Sequence, residues 1–349
     1  MPKMKRFIDC YVPVTYCNLK CQYCYIKQND KFQNKIPGFK YDSSYVGKAL
    51  SADRLGGICH INICGGGETL IPAIIPDIIK SILEQGHYVF VVTNGTLSNR
   101  FDEIIKMDKK LLIRLGFKFS YHYDELMNKN MLSIFFNNIK KVRDAGCSIT
   151  VELTPHDEIV PKIHEIQKLC YQYTGAVCHV TVARKDNYPT KPILSSLSRE
   201  DYKSTWDKFK SKLFDFKLST FNVKRNEFCY AGKWSLYLDL GTGIAKQCYN
   251  SCFEQNVFDN LSEPIKFRPI GYNCKEAHCY NSHAFLTLGL IPELKTPFYA
   301  QLRNRKCKDG SEWLNPEMKA FLSNKLYNSN RKYTVLEKKI INAFNKMRR

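Results

Sequence analysis

The sequence predicts an α/β protein built on a parallel sheet of six β/α units, followed by a small cysteine-rich piece. Over the first two thirds of the 349 residues, short apolar runs alternate with segments of helical periodicity. The runs end in glycine or Asn-Gly, and the helical segments close on glycines 86 and 146, the usual punctuation of such units. After about residue 216 the alternation stops and cysteines reappear at 229, 248, 252, 274 and 279.

Taken in order, residues 7–15 read as the first strand, and 58–64 as a second, ending in glycines. Residues 71–85 have helical spacing and stop at Gly86. Residues 88–93 form a buried third strand closed by Asn94-Gly95, and 111–121 a fourth. Residues 127–145 read as one amphipathic helix, 148–153 as the fifth strand, 161–174 as a helix and 179–183 as the sixth strand. Ser198 caps a helix expected to reach about residue 213, with Asp201 in place of the usual Glu of a capping box. Residues 233–249 read as a β-hairpin around Gly241-Thr242-Gly243. The last fifty residues read as mostly helical and polar, and no internal repeat or low-complexity tract interrupts the chain. Periodicity alone does not choose between a doubly wound sheet and a barrel. Six units are too few for an eight-stranded barrel, and in both architectures the site lies at the C-terminal ends of the strands.

Composition narrows the function classes. No run of eighteen apolar residues occurs, so no membrane span is expected. The N-terminus lacks the apolar segment of a signal peptide, which places the chain in the cytoplasm. In a reducing compartment, clusters among fifteen cysteines point to metal binding or chemistry rather than disulfides. Cys10, Cys59, Cys64, Cys147, Cys170 and Cys178 sit singly on apolar segments and read as small buried hydrophobes, and Cys307 as structural. The formal charge of +20 is spread along the chain and is dense only over residues 331–349. No signature of a common RNA-binding module accompanies it, so nucleic acid is not the expected partner.

Two cysteine clusters remain. The first reads Cys17-Asn18-Leu19-Lys20-Cys21-Gln22-Tyr23-Cys24, three thiols on one loop after the first strand. Three ligands suit an iron–sulfur cubane with one iron left open, whereas a closed structural zinc site needs four. Gly65-Gly66-Gly67-Glu68 follows the second strand. The CxxxCxxC loop with an aromatic before its last cysteine, and the Gly-Gly-Glu segment at the next strand end, resemble the signatures of the radical S-adenosylmethionine (SAM) superfamily. The resemblance covers roughly residues 5–215.

What the resemblance implies is a partial (β/α)6 TIM-like barrel of the radical SAM type over residues 1–215. It implies a [4Fe–4S] cluster on Cys17, Cys21 and Cys24 that chelates SAM through its open iron. Reductive cleavage of SAM then gives a 5′-deoxyadenosyl radical that takes hydrogen from a substrate. Glycines 65–67 would let backbone approach the methionine moiety, Tyr23 would lie near the adenine, and Asn94 and Ser120 would face SAM from the third and fourth strand ends. Glu68 is kept as a site residue, although in the family the backbone of this motif contacts SAM. By strand order Glu152 and Arg184 point toward the same cavity, where they would hold ribose and carboxylate or pair with each other. His122, a lone histidine, is more ordinarily structural.

The second cluster, Cys229-x13-Gly243-x4-Cys248, resembles the opening of the SPASM domain, an auxiliary-cluster module of radical SAM enzymes. Only Cys252, Cys274 and Cys279 follow, so the match is to its shortened, twitch-like form with one auxiliary [4Fe–4S] cluster on Cys229, Cys248, Cys274 and Cys279. Cys252 could replace one ligand, and zinc on four cysteines is the competing reading. This assigns residues 216–300 to an auxiliary domain and 301–349 to a basic helical extension. The nearby His278 and His283 read as packing of the loop.

The expected function is oxidative modification of a peptide by hydrogen abstraction. A carbohydrate or other small metabolite is the alternative; RNA modification and a non-catalytic electron carrier are the more distant readings. A reductant such as flavodoxin or ferredoxin is implied. Only sixteen residues precede Cys17, which leaves no room for a leader-binding module. A separate recognition protein or a directly bound substrate is therefore expected, and the charge favours an anionic one. The sequence assigns no catalytic residue.

Overall fold

Six parallel strands pair in chain order, as the alternation predicts. They are β1 (Arg6–Val12), β2 (Cys59–Gly65), β3 (Tyr88–Thr93), β4 (Leu115–Tyr121), β5 (Ser148–Leu153) and β6 (His179–Val180). The computed structural model describes residues 3–33, 36, 38–249, 253–272 and 274–347; Cys252 lies outside them. The sheet does not close, which makes it a partial barrel rather than a complete one. Alternate strand residues face outward and pack on the helices: Ile8, Cys10, Ile61, Ile63, Val89, Val91, Phe117 and Val151 share one core with Ile78, Ile79 and Ile82 of the helix Ile75–Glu84.

Inward-facing residues form two layers. Phe7, Tyr88 and Phe90, near the strand starts, join Trp234, Phe285, Tyr299 and Phe321 in a second apolar core. Above them Asp9, Asn62, Lys118 and Glu152 make a polar layer beneath the strand ends.

The hairpin is not a separate sheet. Its first strand, β7 (Ser235–Asp239), pairs parallel with β1, Phe7 opposite Ser235 and Tyr11 opposite Asp239. Strands β8 (Ile244–Lys246) and β9 (Glu254–Asn256) continue antiparallel, giving the order β6-β5-β4-β3-β2-β1-β7-β8-β9. The turn between β7 and β8 is set by Asp239, whose Oδ1 accepts from the N–H groups of Gly241 (2.8 Å) and Thr242 (3.1 Å), and by Gly243 at φ +80°.

Several boundaries differ from expectation for local reasons. The helix expected over 127–145 is two, Tyr123–Asn128 and Leu132–Asp144, divided where Asn130 takes φ +54°. The helix capped by Ser198 stops at Trp206. Lys210 turns left-handed, and Ser211 caps a new helix, Lys212–Thr220, while accepting from Val180 N–H on β6 (3.1 Å). The first part of the expected polar C-terminal segment is buried instead. Trp313, Leu314, Met318, Phe321 and Leu322 close the N-terminal mouth of the barrel, with Phe321 stacked on Tyr88 at 3.7 Å. Among the described residues no helix is long and apolar enough to cross a membrane.

Candidate active site

A cavity of about 290 Å³ opens at the C-terminal ends of the strands. Cys17, Cys21, Cys24, Tyr23, Gly65, Gly66, Gly67, Glu68, Asn94, Ser120 and Arg184 all line it, so the cysteine loop and the strand ends singled out in the sequence converge in space. Glu152 is not among the lining residues. It lies one layer down, bonded to Arg303 at 2.6 Å and to Lys118 at 3.4 Å. Arg184 bonds Asp186 at 2.7 Å, so Arg184 and Glu152 do not pair with each other.

The cysteine loop is held by strand ends. Asn94 donates from Nδ2 to Asn18 Oδ1 at 2.8 Å and to Cys17 Sγ at 3.7 Å, and Leu19 N–H donates to Cys17 Sγ at 3.4 Å. Glu125 accepts from Lys20 N–H at 2.7 Å, and Tyr25 donates its hydroxyl to Gly66 O at 3.1 Å. Burial, with Glu68 next, pushes the Cys17 thiol up to about 11, and burial raises Cys21 further. Thiols that burial keeps protonated lose the proton to a bound metal, and N–H donors aimed at sulfur suit a ligated thiolate. The donor set of three free thiols beside a cavity therefore fits a three-cysteine cluster.

The glycines also admit the cysteine loop itself. Gly66 and Gly67 run beside the cysteine loop: Gly67 N–H donates to Val14 O at 2.5 Å and Glu68 N–H to Tyr16 O at 3.0 Å. A Cβ on Gly67 would stand 2.0 Å from Tyr16 O, so the missing side chain admits the loop's own backbone. Glu68 is turned into the protein. Its carboxylate accepts from Thr93 Oγ1 (2.7 Å), Asn94 N–H (2.7 Å) and Leu70 N–H (3.1 Å), which ties β2 to the end of β3 while burial raises its pKa. Tyr23 shares a hydrogen bond with His122 Nδ1 at 2.7 Å and packs on His156 at 4.6 Å. It forms the wall between this cavity and a neighbouring one of about 390 Å³ that His156, Lys185 and Ser195 also line.

Sequence reasoning missed Lys118, Thr154, Thr181 and Val182 among the lining residues. Lys118 carried a signal, since it is the one charge in the apolar strand LGFKFSY and shares the face of Ser120.

Cys229, Cys248, Cys274 and Cys279 also converge. Burial raises Cys229, Cys248 and Cys279, and neighbouring thiols add to the rise: Cys274 beside Cys229, all three others beside Cys248, and Cys229 and Cys274 beside Cys279. Among the described residues, only Asp124, His156 and Glu158 place three ligand atoms within 4.8 Å of one another, so no three of these sulfurs stand that close together. Cys279 opens on a narrow crevice that shares Val182 and Arg184 with the main cavity.

Residues 11–169 match the Radical SAM superfamily. Fe-coproporphyrin III synthase of Methanosarcina barkeri is 33% identical over 96 residues, 27% of this chain and 21% of that protein. The crystal structure of Streptococcus suis SuiB bound to S-adenosylmethionine superposes with a TM-score of 0.52 at 15% identity, over 74% of this chain and 64% of SuiB. SuiB bound to the precursor peptide SuiA superposes with a TM-score of 0.50 at 16% identity, over 74% and 63%. At these identities the likeness to SuiB is one of fold. The chain spans about a fifth of the synthase and just under two thirds of SuiB. The family match covers the end of β1, the cysteine loop, the Gly-Gly-Glu segment and strands β2 to β5. The match to a radical SAM domain thus spans residues 11–169, a little under half of the chain.

Proposed function

We propose that this enzyme cleaves SAM reductively and abstracts hydrogen from a peptide, which leaves the peptide oxidised. The observation that carries the reading is the single cavity shared by Cys17, Cys21, Cys24, the glycine segment and the ends of β3 and β4. When bound to the three cysteines, a [4Fe–4S] cluster supplies the electron that splits SAM into methionine and a 5′-deoxyadenosyl radical, which takes a hydrogen atom from substrate. The chain's part is positional. Asn94 fixes the loop through Asn18 and Cys17, Glu68 locks the strand ends beneath it, and the apolar inner surface from Leu19, Val92 and Val182 limits water around the reacting atoms.

Cys229, Cys248, Cys274 and Cys279 are the ligands of an auxiliary cluster on this reading. Zinc–sulfur bonds of about 2.3 Å would hold four sulfurs about 3.8 Å apart. The wider spacing here favours ligands on separate irons of a cubane. With Cys279 behind the crevice, such a cluster would take the electron left on substrate. The free thiols of the described cysteines support a reducing compartment such as the cytoplasm, with flavodoxin or ferredoxin as reductant.

The peptide reading draws on the fold shared with SuiB, whose structure holds a precursor peptide, and a separate protein would present the peptide. Sequence likeness to Fe-coproporphyrin III synthase favours a second reading, a small metabolite in the same cavity. Anaerobic reconstitution tests the whole scheme. About eight irons per chain are expected. Replacing Cys17, Cys21 and Cys24 with Ala should remove about four irons and all 5′-deoxyadenosine formation, while Cys229→Ala with Cys248→Ala should remove the other four and spare SAM cleavage. 5′-Deoxyadenosine from the triple variant would reject the central assignment, and tightly bound zinc in the wild type would reject the auxiliary cluster.

A further inference from the structure

Most of the polar layer inside the barrel is satisfied by its own members. Asp9 accepts from Asn62 Nδ2 (2.7 Å), from Asn281 Nδ2 (3.0 Å) and from the hydroxyl of Tyr249. Glu152 and Arg303 form a close, fully enclosed pair at 2.6 Å. Two lysines are left less well matched. Lys118 stands 3.4 Å from the already paired Glu152 and faces the main cavity. Lys217, from the helix Lys212–Thr220, enters beneath β6 and donates to the Thr181 hydroxyl. Among the described residues no carboxylate lies within 4 Å of its ammonium.

The charges around Lys217 are Glu152 against Lys118, Arg303 and Arg184. Arg184 has its own acid, Asp186. Glu152 therefore answers for Lys217 and Arg303, and shares Lys118 with the buried Asp9. Burial pushes Lys217 down to about 7, Glu152 opposing and the neighbouring cations adding to the fall. An enclosed group of cations with too few anions is a cost that a bound carboxylate removes. Lys118 and Thr181 line the main cavity, and Lys217 lines a narrow crevice that shares Val182 and Arg184 with it. Lys118 thus stands in the inner wall of the cavity and Lys217 directly behind it, bonded to Thr181.

We propose that Lys118 and Lys217 form a carboxylate subsite for the substrate, in the inner wall of the cavity that the Cys17–Cys24 loop closes. Resting on the peptide reading above, the inference makes the substrate an acidic peptide that presents an Asp or Glu side chain, or its terminal carboxylate, next to the residue that loses hydrogen. The two lysines fix its depth and register by paired charge, and they leave the reacting carbon on the side of the cysteine loop.

The test uses the whole chain, reconstituted anaerobically and saturated with SAM. The probes are two fluorescent peptide pools that differ only in Asp or Glu against Asn or Gln at one central position, with glutarate as a small acid. The acidic pool should bind about tenfold more tightly to the wild type. That preference should fall to about twofold or less in Lys217→Met and return in Lys217→Arg, with SAM affinity unchanged in both. Equal binding of the two pools without glutarate binding, or a preference that survives Lys118→Met and Lys217→Met, would overturn the subsite. Loss of SAM affinity in both variants would give the wall to SAM's own carboxylate and would overturn it as well. Lysine-dependent binding of glutarate with neither pool bound would uphold the subsite and reject the peptide reading.

Discussion

At the scale of single residues, the site is governed by where side chains are missing as much as by where they are present. Gly67 has no room for a methyl group because Tyr16 O occupies that space. Gly67→Ala should push the cysteine loop off β2, lower the stability by about 1–3 kcal/mol, and cut iron incorporation at the first cluster while the auxiliary irons remain. Iron analysis and thermal melting of the variant check this; normal iron content would show that the loop tolerates displacement. The motif residues were legible in the sequence because each sits at a strand end. Their roles were less so. The direction in which Glu68 points depends on Thr93 and Asn94, which lie a whole β/α unit away.

At the scale of elements, the strands were legible and their capping turns were not. The apolar run of β3 and the polar–apolar alternation of β5 located both strands to the residue. The break at Asn130 and the restart at Ser211 are set by single turn residues inside helical patterns, which periodicity overlooks. The buried stretch after residue 312 escaped for the opposite reason: Trp313 and Leu314 lie in an irregular segment with no period to detect. Packing between elements then decides energetics. Arg303, the last residue of the helix Tyr299–Arg303, meets Glu152 of β5 with 1% and 6% of the two side chains exposed. Glu152→Met should cost about 3–5 kcal/mol by leaving Arg303, Lys118 and Lys217 without their shared carboxylate, and Arg303→Met with Glu152→Met should recover part of it. Denaturant midpoints of the three proteins test the pairing; equal losses in the single and double variants would contradict it.

At the scale of the whole molecule, acid sensitivity follows from histidines buried as neutral rings. His87 accepts from Cys59 N–H at 3.1 Å through Nδ1, and burial lowers it to about 4; burial lowers His60 to about 3. The unfolded chain takes up these protons near 6.5. Below that pH the unfolded state binds more protons than the native one, so stability is intact above about 6.5 and falls as pH drops toward 4. Glu152 adds to the loss at lower pH: burial works to raise its pKa, but Lys118 and Arg303 outweigh it and hold the carboxyl well below its usual range. Melting temperatures should decline steadily from about pH 6.5 to 4.5. A flat profile across this interval would show that these rings titrate freely.

The parallel pairing of β7 with β1 bears on how the chain is made. Of the sheet's strands β1 leaves the ribosome first, yet one of its two neighbours, at Ser235–Asp239, follows only after the six parallel units are complete. The start of β1 is stitched still later, when Ser329 and Asn330 bond the carbonyls of Met4 and Lys5. Until then β1 exposes an unpaired edge. During synthesis the sheet is therefore half-finished, and the residues of its first strand should be among the last to gain protection from exchange with solvent.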